Sequence, residues 1–235
     1  MKVLVLSDIH GNATALEAVL SAAACAGAER IVNAGDLIGY YSQPARVLSL
    51  LADWPMDCVR GNHEDMLRRA RHDRAFLDAC TARYGHGLAH ALSDLHSDQI
   101  DWLCDLPRTL RLDLGGVHMR LAHGLPHDTD AYLYPDADED RLILTEASCA
   151  ADEMLLILGH THYQHLWNRP TRRILNPGSV GQPRDRKPGA AWALLDTESG
   201  MIDLRREAYD SLPVAEEARR LDPALPYLWT VLERR

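Results

Sequence analysis

Apolar runs and amphipathic stretches alternate over the first 60 residues of the chain. Residues 3–6, 31–34 and 56–59 are mostly apolar and predict buried strands. Residues 13–26 predict a helix that Asn12 caps and Gly27 ends, and residues 44–52 predict a shorter helix that begins with a proline. This β-α-β-α-β order favours a parallel sheet with right-handed crossovers.

The second part of the chain changes from helices to antiparallel strands. Residues 64–105 look mostly helical, with a break near 84–87. Gly115 and Gly116 separate two strand-like runs at 109–114 and 117–122, which is typical of a hairpin. Further apolar patterns predict a helix at 138–151 and strands at 154–158, 165–168, 172–175, 190–195 and 201–206. We therefore expect two packed sheets with helices outside them.

The length and composition fit one domain. The chain has 235 residues, of which 46% are hydrophobic and 25% charged, so it is long enough to bury a sizeable core and has ordinary globular composition. We expect a single domain over residues 1–235 that ends in a helical tail at about 211–235, with breaks at Pro223 and Pro226. The sequence leaves the oligomeric state open.

The cysteines and the N-terminus predict the compartment. The five cysteines are widely spaced and form no CxxC pair, which favours reduced thiols in a cytoplasm over a zinc-thiolate site. The first apolar run has only four residues before Ser7, which is too short for a signal peptide or a membrane span. We expect a soluble, cytoplasmic protein with no membrane partner.

The charge balance limits the partners. The formal net charge is −9, whereas a protein that grips long nucleic acid usually carries a basic face. The chain also has no basic stretch studded with aromatic residues, which counts against a nuclease. A small phosphate-ester substrate held by metal ions remains compatible with an acidic protein.

Side chains of metal-ligand type follow five of the predicted strands. In open α/β sheets, sites form outside the carboxyl ends of the strands, so these ends would bring the side chains together. In an extended segment, residues i and i+2 point the same way, which would let two of them share an ion. The strand ends carry Asp8 and His10, Asp36, Asn62 and His63, His123, and His160 and His162.

The chemistry of this set indicates a metal site. Carboxylates, imidazoles and one amide, without a thiolate, suit Mn²⁺, Fe, Zn²⁺ or Co²⁺ better than Ca²⁺. Any one of these residues could instead be a helix cap, a turn residue or a satisfied core histidine. Five strand ends would not all carry such residues by chance. Nearby glycines would let the backbone turn sharply, at positions 11, 35, 61, 124 and 159.

The order of these blocks resembles the calcineurin-like metallophosphoesterase superfamily. The five blocks come in the family's order and span residues 8–162. Asn176-Pro177-Gly178-Ser179 and the overlapping SVGQPRD run resemble a small prokaryotic phosphodiesterase-like branch. The resemblance extends to about residue 197. It rests on Asp8-Ile9-His10, Gly35-Asp36, Gly61-Asn62-His63, His123-Gly124 and Gly159-His160-Thr161-His162.

The resemblance implies a fold and a metal centre. The fold would be α/β, a four-layer α/β/β/α sandwich of two mixed sheets flanked by helices. The centre would hold two divalent ions, manganese first, with iron, zinc, cobalt or nickel as alternatives. A hydroxide between the ions would attack phosphorus. The implied ligands are Asp8, His10 and His162 for one ion, Asn62, His123 and His160 for the other, and Asp36 as the bridge.

The implied activity is hydrolysis of small or nucleotide-type phosphodiesters, with a phosphomonoesterase of proteins or small molecules as the alternative. Asp36 and His63 would be the catalytic residues, and His63 would either stabilise charge on the phosphoryl oxygens or donate a proton to the departing oxygen. Because all the implied ligands are present, a binding scaffold without turnover is disfavoured.

One feature separates the chain from the family's protein phosphatases. These carry a GDxxDRG run, whereas this chain has Gly35-Asp36-Leu37-Ile38-Gly39-Tyr40 and lacks that arginine. The departure makes a phosphoprotein monoesterase less favoured. Loops beside strand ends often carry specificity, so the candidate substrate contacts are Arg60, Tyr40, His127 and Arg184, each of which could instead be a packing or surface residue.

Overall fold

The computed structural model describes residues 1–233; residues 234 and 235, the end of the expected tail, lie outside the described part. The strands are β1 (Lys2–Leu6), β2 (Arg30–Asn33), β3 (Met56–Cys58), β4 (Thr109–Leu114), β5 (Val117–Ala122), β6 (Leu155–Ile157), β7 (His165–Asn168), β8 (Arg173–Asn176), β9 (Ala190–Asp196) and β10 (Ile202–Glu207). The helices are α1 (Ala13–Cys25), α2 (Pro44–Leu51), α3 (Asn62–Ala70), α4 (Arg74–Tyr84), α5 (Gly87–Asp94), α6 (Ser97–Asp105), α7 (Glu139–Ala147), α8 (Leu212–Leu221) and α9 (Tyr227–Thr230).

The strands form two five-stranded mixed sheets. The first has the order β10-β9-β1-β2-β3, in which β1, β2 and β3 are parallel and β9 and β10 are antiparallel to their neighbours. The second has the order β4-β5-β6-β8-β7, in which β5, β6 and β8 are parallel and the hairpin partners β4 and β7 run the other way. The parallel start and the later antiparallel pairs agree with the sequence prediction.

A core between the two sheets joins them. Val3 and Val5 of β1 point into this core from the first sheet, and Leu121 and Ile157 point into it from the second. The alternate residues of β1, Leu4 and Leu6, face the other way and pack against α1. This alternation follows from the period of two along a strand, which gives each sheet two apolar faces to cover.

Helices cover the outer face of each sheet. The first sheet packs against α1 and the helices that follow it, with the fully buried Leu16 and Val19 in the contact. The second sheet packs against α7 through Leu142 and Ile174. The result is the expected four-layer α/β/β/α sandwich, and the prediction of the fold class is confirmed.

The local signals also act as expected. The Asn12 side chain accepts a hydrogen bond from Ala15 N and caps α1, and Gly27 takes a left-handed φ of 79° just beyond it. Helix α8 ends at Leu221, and α9 begins directly after Pro226.

All five cysteines are free. Within residues 1–233, no helix is long and apolar enough to cross a bilayer.

Candidate metal centre

Five strand ends meet at one edge of the sandwich. The loops after β1, β2 and β3 belong to the first sheet, and those after β5 and β6 belong to the second. The sequence predicts that the five ends come together, and they do so from two sheets, three ends from the first and two from the second. The candidate site therefore lies across the junction of the two sheets. All of its charged and imidazole side chains are buried there: Asp8, His10, Asp36, His63, His123, His160 and His162.

The backbone of five candidate ligands is left-handed rather than extended. Asp8 has a φ of 56° and His10 a φ of 54°, so the expected alternation along an extended strand is wrong for this pair. The strand ends at Leu6, and the chain then turns so that both side chains face the same point. Asp36, His160 and His162 also have positive φ, at 57°, 66° and 61°. The turns therefore lie on the ligand residues themselves as well as on the neighbouring glycines.

One cluster joins the first and fifth of the sequence blocks. His10 Nε2 lies 3.0 Å from His162 Nε2, and Asp8 Oδ1 lies 3.2 Å from His162 Nε2 and 3.6 Å from His10 Nε2. One ligand atom from each of the three residues lies within 4.8 Å of the others, as a shared metal ion requires. These are the three residues that the resemblance implies for one ion.

A second cluster lies next to the first. His123 Nε2 is 3.0 Å from Asn62 Oδ1 and 3.2 Å from Asp36 Oδ2. Asp36, His123 and His160 form another group whose ligand atoms lie within 4.8 Å of one another. Asp36 Oδ2 is also 3.7 Å from His10 Nε2, so this carboxylate lies between the two clusters.

The imidazoles are oriented by backbone carbonyls. The Nδ1 atoms of His10, His123 and His162 lie 3.2, 2.7 and 2.6 Å from the carbonyl oxygens of Ile38, Ala34 and Gln182. A carbonyl only accepts, so each Nδ1 carries the proton and donates it. In the neutral ring, Nε2 is then a bare lone pair. Backbone carbonyls commonly orient metal-ligating histidines in this way.

With the protons on Nδ1, the contacts of the Nε2 atoms indicate whether a cation fits between the side chains. The Nε2 lone pairs of His10 and His162 face each other at 3.0 Å, and Asp8 Oδ1 beside them is buried with no hydrogen-bond partner. Three acceptors that converge without a proton between them repel one another unless a cation lies among them. The donor set therefore fits a metal ion at this point.

The charges of the buried side chains also favour a metal ion in the site. Burial would raise the pKa of Asp8 and of Asp36, but the surrounding imidazoles, His162 for Asp8 and His123 for Asp36, hold both pKa values below the usual range. Burial would lower the pKa of His123, yet the Asp36 carboxylate raises it to about 10. Burial lowers the pKa of His162 to about 3, which keeps this ring neutral. The two carboxylates thus remain charged and attract positive charge.

Glu64 is a functional side chain that the sequence analysis left unassigned. Its buried carboxylate accepts hydrogen bonds from the backbone N–H groups of Asp36, Leu37, Ile38 and Gly61 at 2.8–3.3 Å. These contacts tie the loop after β2 to the start of α3. The signal was present in the sequence, because Glu64 lies in the first turn of a helix, where a carboxylate can reach backbone N–H groups.

The Asn176-Pro177-Gly178-Ser179 block contacts the loops that carry the candidate ligands. Asn176 Nδ2 donates to the Gly159 carbonyl at 2.7 Å and to Thr161 Oγ1 at 3.0 Å, which fixes the loop that carries His160 and His162. Ser179 Oγ donates to the Asp8 carbonyl at 2.7 Å. The block therefore connects both sheets to the ligand loops.

His63 lies beside the first cluster and is buried. Its backbone N–H donates to Asp36 Oδ1 at 2.9 Å, and its ring packs edge-on against His10 with centroids 4.7 Å apart. Its Nδ1 is buried without a hydrogen-bond partner. Burial lowers the pKa of His63 to about 3. His63, His10 and Asp36 also have ligand atoms within 4.8 Å, so position alone does not separate a metal role from a catalytic one.

Tyr40 and Arg184 lie beside this cluster. The Tyr40 ring packs against His10 and His63 with centroids 4.6 and 4.7 Å away. Arg184 donates to the Tyr40 hydroxyl at 2.9 Å and to Gln182 Oε1 at 2.7 Å. Burial would lower the pKa of Arg184, but Tyr40 and Asp8 raise it above its usual value. A charged guanidinium therefore lies next to the candidate ligands.

The other two candidate substrate contacts are placed differently. Arg60 donates to the Cys104 carbonyl at 2.6 Å and pairs with Asp65 at 2.7 Å, so its guanidinium joins α3 to α6. His127 is exposed in the turn that Leu125 and Asp128 close. Neither residue is brought to the ligand cluster by a contact among the described residues, and their role in substrate binding stays a prediction.

Comparison with known proteins agrees with this geometry. Residues 1–200 match the model of the calcineurin-like phosphoesterase superfamily domain. The uncharacterized protein MJ0912 of Methanocaldococcus jannaschii is 25% identical over 225 residues, 88% of each chain.

Solved structures share the fold. The hypothetical protein PH1004 from Pyrococcus horikoshii has a TM-score of 0.86 at 22% identity, covering 98% of this chain and 97% of its own. A metallophosphoesterase from Sphaerobacter thermophilus has a TM-score of 0.79 at 24% identity, covering 100% and 98%. From the family match over residues 1–200, the chain belongs to the calcineurin-like phosphoesterase superfamily, which supports metal-dependent hydrolysis of a phosphoester.

Proposed function

We propose that the protein is a dinuclear metal-dependent phosphoesterase that hydrolyses small phosphodiesters. Mn²⁺ is the proposed metal, because it accepts carboxylate, imidazole and amide ligands together; Fe, Zn²⁺, Co²⁺ and Ni²⁺ accept similar sets. The proposed ligands are Asp8, His10 and His162 for one ion, Asn62, His123 and His160 for the other, and Asp36 for both.

The position of Asp36 is the observation that carries the proposal. Its Oδ2 lies 3.7 Å from His10 Nε2 in one cluster and 3.2 Å from His123 Nε2 in the other. A carboxylate that lies between the two clusters has the charge and the two oxygens needed to hold two cations near each other. A single-ion site would leave one of the two buried clusters without a cation.

When bound, the two ions would lower the pKa of a water molecule and neutralise charge on the phosphoryl oxygens. The chain's own residues would orient the substrate. Arg184, held by Tyr40 and Gln182, would donate hydrogen bonds to a phosphoryl oxygen. His63 is neutral near pH 7, since its pKa lies at about 3, and would donate a hydrogen bond to the departing oxygen.

The diester is favoured over the monoester by the charge beside the cluster. A phosphodiester carries one negative charge, whereas a monoester carries up to two near neutral pH. Arg184 offers one guanidinium to the site, while Arg60 is engaged by Cys104 and Asp65. A phosphomonoesterase remains the second candidate, because the residues that bind metal would serve both reactions.

The test is a turnover assay with matched substrates. Metal-free protein is supplied with Mn²⁺, and rates on bis-p-nitrophenyl phosphate and p-nitrophenyl phosphate are compared. We expect faster diester hydrolysis that is lost in Asp36→Asn and kept in Asp53→Asn, which makes the same change at an exposed aspartate. Faster monoester hydrolysis would favour the second candidate. An inactive protein with each of the five metals would contradict the proposed function.

A further inference from the structure

A row of aromatic rings leads from the metal centre to the surface. The Tyr132 ring stacks on the His160 ring, with centroids 4.1 Å apart and planes 24° apart. Tyr134 lies parallel to Tyr132 within 3°, with centroids 5.4 Å apart, and Tyr163 meets Tyr134 edge-on at 5.5 Å. We call Tyr132 and Tyr134 the tyrosine wall. It is the part of this row that reaches solvent next to a proposed ligand.

Both rings of the tyrosine wall are partly exposed to solvent. Tyr132 is 39% exposed and Tyr134 is 40% exposed. Parallel rings with centroids 5.4 Å apart overlap only in part, so ring surface stays uncovered on both. Two other tyrosines near the site are engaged differently: Tyr40 is buried and bonded to Arg184, and Tyr227, which is 38% exposed, donates its hydroxyl to the Arg83 carbonyl.

The loop that carries the wall is also held by backbone contacts, in addition to the contacts of its rings. The Tyr132 carbonyl accepts two hydrogen bonds from the Arg141 guanidinium of α7, at 2.6 and 3.1 Å. The Asp130 carbonyl accepts a hydrogen bond from His160 Nε2 at 3.2 Å, which fixes the same loop to the metal centre. Binding a ring against the wall would therefore cost little ordering of the loop.

The wall and the charged part of the site lie close together. A single imidazole, that of His160, separates Tyr132 from the position of the proposed ion. One small molecule would therefore reach both places, with its phosphate at the metal centre and a flat ring against the wall.

We propose that the tyrosine wall binds the base of a nucleotidyl phosphodiester whose phosphorus lies at the metal centre. This inference rests on the proposed function, because it places the phosphate there. Stacking of a base on an aromatic side chain tolerates different bases and corresponds to roughly 5- to 150-fold in binding. The wall therefore selects nucleotides over other phosphate esters, with little choice among bases.

The experiment compares a nucleotide with the sugar phosphate that carries a hydroxyl in place of the base. Binding of adenosine 5′-monophosphate and of ribose 5-phosphate to the Mn²⁺-loaded protein is measured by calorimetry, together with metal content. We expect the nucleotide to bind at least about tenfold more tightly. This ratio should fall close to one in Tyr132→Leu and persist in Tyr132→Phe, which keeps the ring. Trp102→Leu, which removes an exposed ring on α6, should not change it.

Two results would overturn the inference. One is equal affinity for both ligands, including the case in which neither binds. The other is a preference that Tyr132→Leu leaves unchanged while its metal content is normal; the same result for Tyr134→Leu would exclude the second ring. The readout is binding rather than turnover, so a protein that is inactive in the turnover assay and still prefers the nucleotide would contradict the proposed function and support the role of the tyrosine wall.

Discussion

Two regions that meet at His160 are built in opposite ways. The carboxylate and imidazole candidate ligands are buried, and five of them hold a left-handed backbone that costs of order 1–3 kcal/mol each. Glu64, Asn176 and Ser179 hold the loops in that conformation. The tyrosine wall, in contrast, is about two-fifths exposed and lies on the long loop between β5 and α7. Rigidity is concentrated where charge must be held, and open surface lies where a substrate would be chosen.

This contrast predicts two kinds of mutational effect. Changes among the ligands and their supports should alter metal binding or the chemical step for every substrate. Changes at the rim should alter the choice or the affinity of the substrate. Variants of His63, Glu64 and the two arginines test this difference, in order of decreasing expected effect.

His63→Ala should keep the metal ions and lose rate by about a hundredfold or more. The side chain adds a hydrogen bond to the departing oxygen, and a positioned group of this kind typically contributes that much. Steady-state kinetics with bis-p-nitrophenyl phosphate and metal analysis check the result, with His72→Ala as the exposed control. If the variant instead loses an ion, His63 is a ligand together with His10 and Asp36, and the proposed role is wrong.

Glu64→Gln should weaken metal binding by about 10- to 100-fold, although Glu64 contacts no proposed ion. An amide presents an N–H₂ donor to backbone N–H groups that now donate to a carboxylate, and loss of such outer contacts typically costs that much in metal affinity. A Mn²⁺ titration measures the change, with Glu216→Gln as the exposed control. Unchanged affinity would mean that the loop after β2 needs no support from Glu64.

The two arginines should differ in their effect on substrate binding. Arg184→Met should raise KM for the diester several-fold, because its guanidinium lies beside the candidate ligands, and should also lower stability, because the buried Tyr40 hydroxyl and Gln182 Oε1 lose their donor. Arg60→Met should lower the free energy of unfolding by about 1–3 kcal/mol, since it leaves buried polar partners unpaired, with little effect on KM. Kinetics and urea denaturation of both variants check this. The reverse pattern would exchange their roles.

Much of the site could be predicted because its residues follow a physical rule. Parallel strands end at one edge, so ligand-type residues just after apolar runs meet there. The sequence could not show that Asp8 and His10 turn through left-handed backbone, because that conformation depends on support from the Ser179 side chain and the neighbouring strands. The tyrosine wall also left no signal. Residues 124–138 have no hydrophobic period, and the stacking of Tyr132 on His160 joins segments 28 positions apart in the sequence.

The helices and strands were easier to predict than the sheet to which each strand belongs. Each helix and strand shows its own period, and the Gly115-Gly116 turn fixes the β4–β5 hairpin locally. Which sheet receives β5 and β6 depends on packing between distant segments. The core between the sheets, which includes Val5 and Ile157, settles that choice and brings the two halves of the site together.

The central claim is that Asp36 holds two ions, and a count of bound metal tests it most directly. Metal-free protein is titrated with Mn²⁺, and the ions retained per chain are measured by mass spectrometry for the native protein and for Asp36→Asn. The account predicts two ions per native chain and one or none in the variant. Saturation at a single ion in the native protein, or two ions retained with unchanged affinity in Asp36→Asn, would contradict it.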